Sequence, residues 1–450
     1  MAGGPDEARN RLVDELRATG RLTSHAVEAA FRAVPRHVFL PELDPVSQAY
    51  QDEAFVIKTD EGGLPTSSSS QPAIMAIMLE QLGVAEGQRV LEIGTGTGYN
   101  AALMSRLVGA GGSVVTVDID PDLVDRARAS LVAAGYPDVV VICGDGGFGA
   151  PEFAPFDRII VTAGASDLAP EWLTQLGPGG RIALPLALRG IQLCIALERS
   201  GGRAWRSLAS CRCGFIRMAG CYAGAEPYLP VGPQPGLHVQ TDQIGEPADA
   251  EALWAALSEP ATDVLTGVRV TGLGELGEAD LWVTFAEPGL ARLTITGGTG
   301  PLRGSVLPLL PFGALATVPL AAEGLGVAGL LPAAPMESPP GLHGGHGEDG
   351  DRGQHGDHGE RGWREEDDGR GEHRLAEFEI AVRGFGPSAA LLAERLAARV
   401  AAWQSAGRPR ATDLVLTAYP LTGGHAPEPA PGELVVDRPN TRLHLTWPRA

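Results

Sequence analysis

The sequence predicts a doubly wound, Rossmann-like α/β domain followed by a second, α+β domain. Three observations support this prediction: apolar runs alternate with amphipathic segments from residue 89, a glycine-rich turn follows the first run, and the composition changes near residue 225. At 450 residues the chain also exceeds what one hydrophobic core usually supports. We therefore expect one domain at residues 1–225 and another at residues 226–450.

The first domain is predicted to begin with helices and to continue with alternating strands and helices. Apolar residues at helical spacing predict two short helices within residues 7–34, and a third from Ser70, as the N-cap, to Leu82. Beyond these, strands are predicted at 89–93, 113–117, 139–143, 157–161, 181–186 and 191–197, and helices at 99–107, 121–134 and 169–176. Apolar strands that bracket amphipathic helices imply a parallel sheet covered on both faces.

The second domain is predicted to be interrupted by a long polar insertion. Residues 332–374 contain few apolar side chains and much Gly, His, Asp and Glu, so burial cannot offset their ordering entropy. A strand at 376–382, a helix at 387–403 and a strand at 413–418 follow, which places the disordered insertion inside one α+β domain. Its histidines could bind a metal, but a solvated segment fits the composition better.

Composition and charge exclude several classes of function. The net charge of -20 disfavours a nucleic-acid binder, and no run of 18 uncharged apolar residues predicts a membrane span. The amino terminus lacks a secretory signal, so we expect a cytoplasmic protein. Cys211, Cys213 and Cys221 lie close together in the chain but match no common zinc module, and we expect no metal. The sequence does not predict an oligomeric state.

The strongest motif is a glycine-rich turn between the strand at 89–93 and the helix at 99–107. It reads Gly94-Thr95-Gly96-Thr97-Gly98. Glycines let a ligand approach the backbone closely, and the helix N-terminus supplies N–H donors. The dinucleotide fingerprint requires glycine at a third position that is Tyr99 here, which disfavours a pyrophosphate ligand.

Two acidic residues follow the next two strands. Asp118 lies 20 residues after Gly98, where a carboxylate can bind a ribose diol, and Asp145 could accept a hydrogen bond from an adenine amine. The alternative is that both carboxylates only cap helices or turns. Because all three motifs follow parallel strands, we expect S-adenosylmethionine as the cofactor and S-adenosylhomocysteine as the product. The candidate cofactor-binding residues are Glu92, Gly94, Thr95, Gly96, Gly98, Tyr99, Asp118, Ile119, Asp145 and Gly146.

Five short motifs together resemble the protein-L-isoaspartate O-methyltransferase family. They read Val-Pro-Arg-His-Val-Phe at 34–39, Ser-Gln-Pro at 70–72, the glycine turn, Gly-Asp-Gly at 144–146 and Leu-Gly-Pro-Gly-Gly-Arg at 176–181. The resemblance covers about residues 7–220. It implies an S-adenosylmethionine-dependent carboxyl O-methyltransferase.

The resemblance also implies where the methyl acceptor binds. In the family, a Thr-Ile-Ser-Gln-Pro loop faces the acceptor carboxylate; here Ser70 matches the family serine and Ser68 replaces the threonine. A carboxylate is already ionised at neutral pH, so hydroxyl groups that position it matter more than a general base. The candidate catalytic residues are Ser67, Ser68, Ser69 and Ser70.

The serine run and the long second domain resemble a branch of the family associated with the biosynthesis of lanthipeptides. That branch implies an aspartate in a precursor peptide, macrocyclised beforehand, whose methyl ester leads through a succinimide to isoaspartate. One alternative is a general isoaspartate repair enzyme with an accessory domain. Another is a non-catalytic binding protein with a methyltransferase fold, although the retained glycines and Asp118 disfavour it.

Overall fold

The computed structural model describes residues 4–61, 65–224, 228–232, 237–240, 250–287, 290–295, 317–319, 327–332, 377–422 and 424–448. The helices are α1 (Pro5–Ala18), α2 (His25–Ala33), α3 (Pro72–Leu82), α4 (Tyr99–Val108), α5 (Pro121–Ala133), α6 (Pro170–Gln175), α7 (Ala250–Leu257), α8 (Gly272–Ala286) and α9 (Ala389–Ser405). The strands are β1 (Phe55–Thr59), β2 (Pro65–Ser69), β3 (Arg89–Ile93), β4 (Ser113–Asp118), β5 (Val140–Cys143), β6 (Phe156–Val161), β7 (Leu176–Leu188), β8 (Ile191–Gly201), β9 (Ala204–Cys213), β10 (Tyr228–Pro230), β11 (Leu237–Gln240), β12 (Thr262–Thr271), β13 (Leu290–Ile295), β14 (Thr317–Pro319), β15 (Val327–Pro332), β16 (Glu377–Phe385), β17 (Val415–Pro420), β18 (Leu434–Asp437) and β19 (Thr441–Thr446).

The first of two compact units carries a ten-stranded sheet, in the order β18-β19-β17-β9-β8-β7-β6-β3-β4-β5. Its β5-β4-β3-β6-β7 half is parallel, which confirms the predicted Rossmann-like core. The other half is antiparallel, so the sheet as a whole is mixed. The parallel half places the carboxyl ends of β3, β4 and β6 along one edge, where ligands of such sheets bind.

The core of this unit forms where helices cover the parallel strands. Apolar side chains at helical spacing bury one side of α2, whereas α4 is buried on almost all sides; Phe31 and Phe39 both pack against the Tyr99 ring. Ser24 caps α2 by accepting a hydrogen bond from the Val27 amide at 3.3 Å. These contacts fix the start of α4 directly after the glycine turn.

The β1 and β2 strands form a separate antiparallel hairpin. Residues 65–69 were expected in a loop before a helix that Ser70 caps. Instead they are the second strand of the hairpin, and α3 begins at Pro72 with Gln71 as the N-cap. The reason is pairing with β1, which satisfies the backbone of the serine run, while Pro72 can occupy the first turn of a helix.

The unit boundaries differ from the predicted division at residues 225 and 226. The first unit comprises residues 1–228, 240–244 and 409–450, and the second comprises residues 229–239 and 245–408. The last 42 residues belong to the first unit because β17 pairs with β9, with Thr417 opposite Arg206. Asp167 also holds the carboxyl-terminal segment to this unit, because it accepts hydrogen bonds from the Asn440 amide, at 2.7 Å, and from the Thr441 hydroxyl.

The second unit has the predicted α+β composition. Its strands β12, β15 and β16 pair antiparallel, and α8 and α9 bury apolar residues such as Leu276 and Trp403 in its core. The predicted insertion at 332–374 lies, apart from residue 332, outside the described residues. Within the described part of the chain, no helix is long and apolar enough to span a membrane.

Candidate active site

The glycine turn joins β3 to α4 with a backbone that L side chains rarely adopt. Gly94, Gly96 and Gly98 have φ angles of 101°, 52° and 86°. A Cβ atom on Gly94 would lie 2.7 Å from the Thr162 hydroxyl oxygen, so a side chain there is excluded by space as well as by φ. Gly94 and Gly96 line a cavity of about 410 Å³, whereas Gly98 packs against Ala127 in α5 and does not.

Glu92 at the end of β3 is fully buried beneath this cavity. Its carboxylate accepts hydrogen bonds from the Asn100 amide at 2.8 Å and the Thr116 hydroxyl at 2.7 Å, and Thr116 also bonds Thr95. Burial raises the pKa of Glu92 to about 7, although both hydrogen bonds oppose the shift. The network therefore holds an acidic group that is partly protonated at neutral pH.

Asp118 at the end of β4 contacts the glycine turn directly. Its Oδ2 accepts a hydrogen bond from the Gly96 amide at 2.9 Å, and its Oδ1 accepts from the Asp120 amide at 3.1 Å. Each oxygen keeps lone pairs for a ligand hydroxyl. Asp118 and Ile119 both line the cavity.

Asp145 is engaged elsewhere. Its two carboxylate oxygens accept from the Gly147 amide at 2.9 Å and the Cys221 amide at 2.8 Å, and Asp145 does not line the cavity. These contacts are the ones expected if Asp145 only caps a turn. Gly146 does line the cavity, and a Cβ on it would lie 2.5 Å from the Ile93 side chain, so the motif brings backbone close to β3.

The serine strand β2 forms a second wall of the same cavity. Ser67 and Ser69 are buried, Ser68 and Ser70 are half-buried, and all four line the cavity. The two walls are close: a Cβ on Gly96 would lie 3.6 Å from the Ser68 carbonyl oxygen. The structure therefore brings the predicted acceptor residues and the glycine turn to one site.

Several residues that line the cavity were not predicted from the sequence. Asn100 lies in α4, Thr162 directly follows β6, Lys58 lies in β1, and residues 215–219 line the cavity after β9. Asn100 lies two residues after Gly98, which was a usable signal. The others are distant in sequence and carry no motif. Among the described residues, no three His, Cys, Asp or Glu side chains are grouped to hold a metal.

Comparisons with known proteins match the first half of the chain to one family. The family model for protein-L-isoaspartate(D-aspartate) O-methyltransferase matches residues 7–220. The Archaeoglobus fulgidus protein-L-isoaspartate O-methyltransferase 2 is 40% identical over 222 residues, which cover 48% of this chain and 95% of that protein. The Thermotoga maritima protein-L-isoaspartate O-methyltransferase is 43% identical over 166 residues, which cover 37% of this chain and 52% of that protein.

A solved structure of a protein-L-isoaspartate O-methyltransferase aligns with 91% of this chain and 96% of its own, at 24% identity and a TM-score of 0.46. The chain thus spans about half the length of the Thermotoga relative and nearly all of the Archaeoglobus one.

Proposed function

Because the chain belongs to the protein-L-isoaspartate O-methyltransferase family, we propose that it methylates the carboxylate of an aspartyl or isoaspartyl residue in a peptide. Family membership confirms the predicted enzyme class, an O-methyltransferase, and the predicted cofactor, S-adenosylmethionine. The observation that carries the proposal is that the glycine turn and the serine strand line one and the same cavity.

The residues of one wall fit S-adenosylmethionine. Asp118 offers free lone pairs beside the backbone of Gly94 and Gly96, which suits ribose hydroxyls. Asn100 lines the cavity with a buried Oδ1 that has no hydrogen-bond partner among the described residues. A buried acceptor of this kind is costly unless a ligand donor satisfies it, and the cofactor carries an ammonium group. When bound, the cofactor supplies an electrophilic methyl group on a sulfonium.

The residues of the other wall fit a peptide carboxylate. Serine hydroxyls of this wall can donate to one oxygen of the acceptor and leave the other oxygen exposed to the methyl group. The acceptor is ionised at neutral pH, so this wall needs to orient it and exclude water rather than remove a proton. The reaction forms an oxygen–methyl bond and breaks the sulfur–methyl bond, so the charges of carboxylate and sulfonium cancel in the products.

The second unit supports a more specific substrate. The family model ends at residue 220, whereas residues 229–239 and 245–408 form a further compact unit with its own apolar core. We propose that this unit binds a precursor peptide of the lanthipeptide type, whose aspartate is methylated and then converted through a succinimide to isoaspartate. The general repair of isoaspartate is the second candidate, because relatives such as the Archaeoglobus fulgidus and Thermotoga maritima proteins are named for methylation of isoaspartate.

Intact-mass spectrometry separates these substrates. The full chain is incubated with S-adenosylmethionine and, in parallel, with a linear isoaspartyl peptide, its aspartyl counterpart and an aspartyl macrocycle. A gain of 14 Da on the macrocycle followed by loss of methanol, with no turnover of the linear isoaspartyl peptide, supports the precursor-peptide proposal. Turnover of the isoaspartyl peptide alone supports repair. No methylation of any peptide would contradict the proposed function itself.

A further inference from the structure

A buried arginine lies directly behind the serine strand. Arg36 is 0% exposed and follows α2 in a short helical turn. Its guanidinium donates hydrogen bonds to the hydroxyl of Ser69, at 3.4 Å, and to four backbone carbonyl oxygens. The four carbonyls belong to Ala49 (3.0 Å), Gln51 (3.1 Å), Glu53 (3.1 Å) and Ser70 (2.9 Å). One side chain thus gathers the segment before β1 and the carboxyl end of β2.

The positive charge of Arg36 is not neutralised by an ion pair. Within the described part of the chain, no carboxylate lies within salt-bridge distance of its guanidinium, and the partners are carbonyls and aromatic faces. The guanidinium carbon lies 5.4 Å from the Phe55 ring centroid and 5.9 Å from that of Tyr99. Burial lowers the pKa of Arg36 to about 10, which still leaves it charged at neutral pH.

A buried, unpaired cation is costly, so its location calls for a reason. The carboxylate of Asp52 attracts this charge electrostatically, but its hydrogen bonds come from the Gln71 side chain and the Ala73 amide and not from the guanidinium. The guanidinium does not itself line the cavity, so it acts on a ligand across Ser69 and Ser70, to which it donates hydrogen bonds. An anion is the ligand that such a site favours.

We propose that Arg36 is a positioning residue for the methyl acceptor, and that its charge makes the serine strand selective for a carboxylate over a neutral group. The inference rests on the proposed function. Two roles are combined in one side chain: the planar guanidinium holds Ser69 and Ser70 in register, and its charge attracts the acceptor. A lysine would keep the charge but lose the fork that reaches several acceptors at once.

The test uses Arg36→Lys and Arg36→Met in the full chain, with Arg11→Met as a control at an exposed arginine of α1. Calorimetry measures S-adenosylhomocysteine binding, and steady-state kinetics measure kcat and KM for the peptide that the wild type methylates. Inhibition by that peptide and by its carboxamide analogue gives a ratio of inhibition constants, which reports selectivity independently of stability.

Both variants are expected to bind S-adenosylhomocysteine within about threefold of the wild type. Arg36→Lys should keep the preference for carboxylate over carboxamide and lower kcat by about tenfold through misplaced serines. Arg36→Met should lose the preference and raise KM by about tenfold or more. If Arg36→Met does not fold, Arg36→Gln replaces it, because an amide removes the charge and can still donate hydrogen bonds to the carbonyl oxygens of this segment.

Three outcomes would overturn the inference: a wild type that binds both peptides equally, unchanged kinetics in both variants, or losses of cofactor binding that match the losses of activity. The first two leave methylation by the wild type intact, so they are distinguishable from a failure of the proposed function, in which no peptide is methylated at all.

Discussion

The two walls of the cavity are built in different ways. The cofactor wall is part of the parallel sheet, and backbone geometry, buried polar groups and the start of α4 fix it in place. The acceptor wall belongs to a separate two-stranded hairpin, which is held in place by side chains. Arg36 binds one end of the hairpin, and Lys58 forms an ion pair nearer the other end. Because the two walls are held by different contacts, we expect that a substitution in one wall can impair its function without affecting the other wall. The following predictions test that separation.

The largest effect is expected at Gly94 in the cofactor wall. Gly94→Ala places a Cβ 2.7 Å from the Thr162 hydroxyl oxygen, at a φ angle of 101°. Strain of this kind costs on the order of 1–3 kcal/mol, and the turn must move to relieve it. We expect S-adenosylhomocysteine affinity to fall by about 100-fold in calorimetry, with loss of methylation. Gly4→Ala is the control, since a Cβ there meets nothing within 4 Å. Unchanged affinity in Gly94→Ala would show that the turn does not hold the cofactor.

A smaller effect, on stability, is expected at Glu92. Its pKa is raised from 4.5 to about 7, so between these values the folded state binds more protons than the unfolded state. The stability of the ligand-free protein should therefore fall as pH rises through this window, by about 3 kcal/mol in total at 1.36 kcal/mol per pKa unit. Glu92→Gln should remove this dependence, because an amide does not titrate and Asn100 can turn its unpaired oxygen towards it.

Urea denaturation at pH 5 and pH 8 measures the effect. The difference in unfolding free energy between Glu92→Gln and the wild type should shift in favour of the variant at pH 8. Glu15→Gln, at an exposed position of α1, should leave the pH dependence as it is in the wild type. An equal pH dependence in the wild type and Glu92→Gln would mean that Glu92 ionises freely in the folded protein.

The smallest effect is expected at Lys58 in the acceptor wall. Its ammonium lies 2.6 Å from an Asp120 oxygen and 2.9 Å from an Asp122 oxygen, and so joins β1 to the start of α5. The pair is partly exposed, so its contribution is small and is weakened by salt. Lys58→Ala should raise the peptide KM by about two- to threefold, and 0.5 M salt should reduce the difference from the wild type. Lys58→Arg should behave as the wild type, whereas a larger defect in the arginine variant would contradict a purely electrostatic role.

The cofactor wall could be predicted from the sequence because its signals are local. A strand, a glycine turn and a helix adjoin in the chain, and Asp118 follows at the end of the next strand. The same local signal did not distinguish Asp145 from Asp118, because a carboxylate after a strand can bind a ligand or cap a turn. Asp145 accepts from two backbone amides and, unlike Asp118, does not line the cavity.

The acceptor wall and the carboxyl-terminal strands depend on distant contacts. The serine run has little strand propensity by itself and becomes a strand because β1 pairs with it. Arg36 was noted only as part of a motif, since nothing near it in sequence shows that it reaches Ser70. Likewise, β17 pairs with β9 across about 200 residues, so residues 409–450 could not be assigned to the first unit from local pattern.

The most direct test of separate cofactor and acceptor walls replaces Ser67, Ser68, Ser69 and Ser70 together with alanine. S-adenosylhomocysteine binding is measured by calorimetry and methyl transfer by intact mass, with Ser200→Ala, at an exposed position near the end of β8, as the control. The predicted result is a cofactor affinity within about threefold of the wild type and a methylation rate lower by about 100-fold, as expected when positioning is lost. Full turnover in the alanine variant, or a loss of cofactor affinity as large as the loss of rate, would contradict the account.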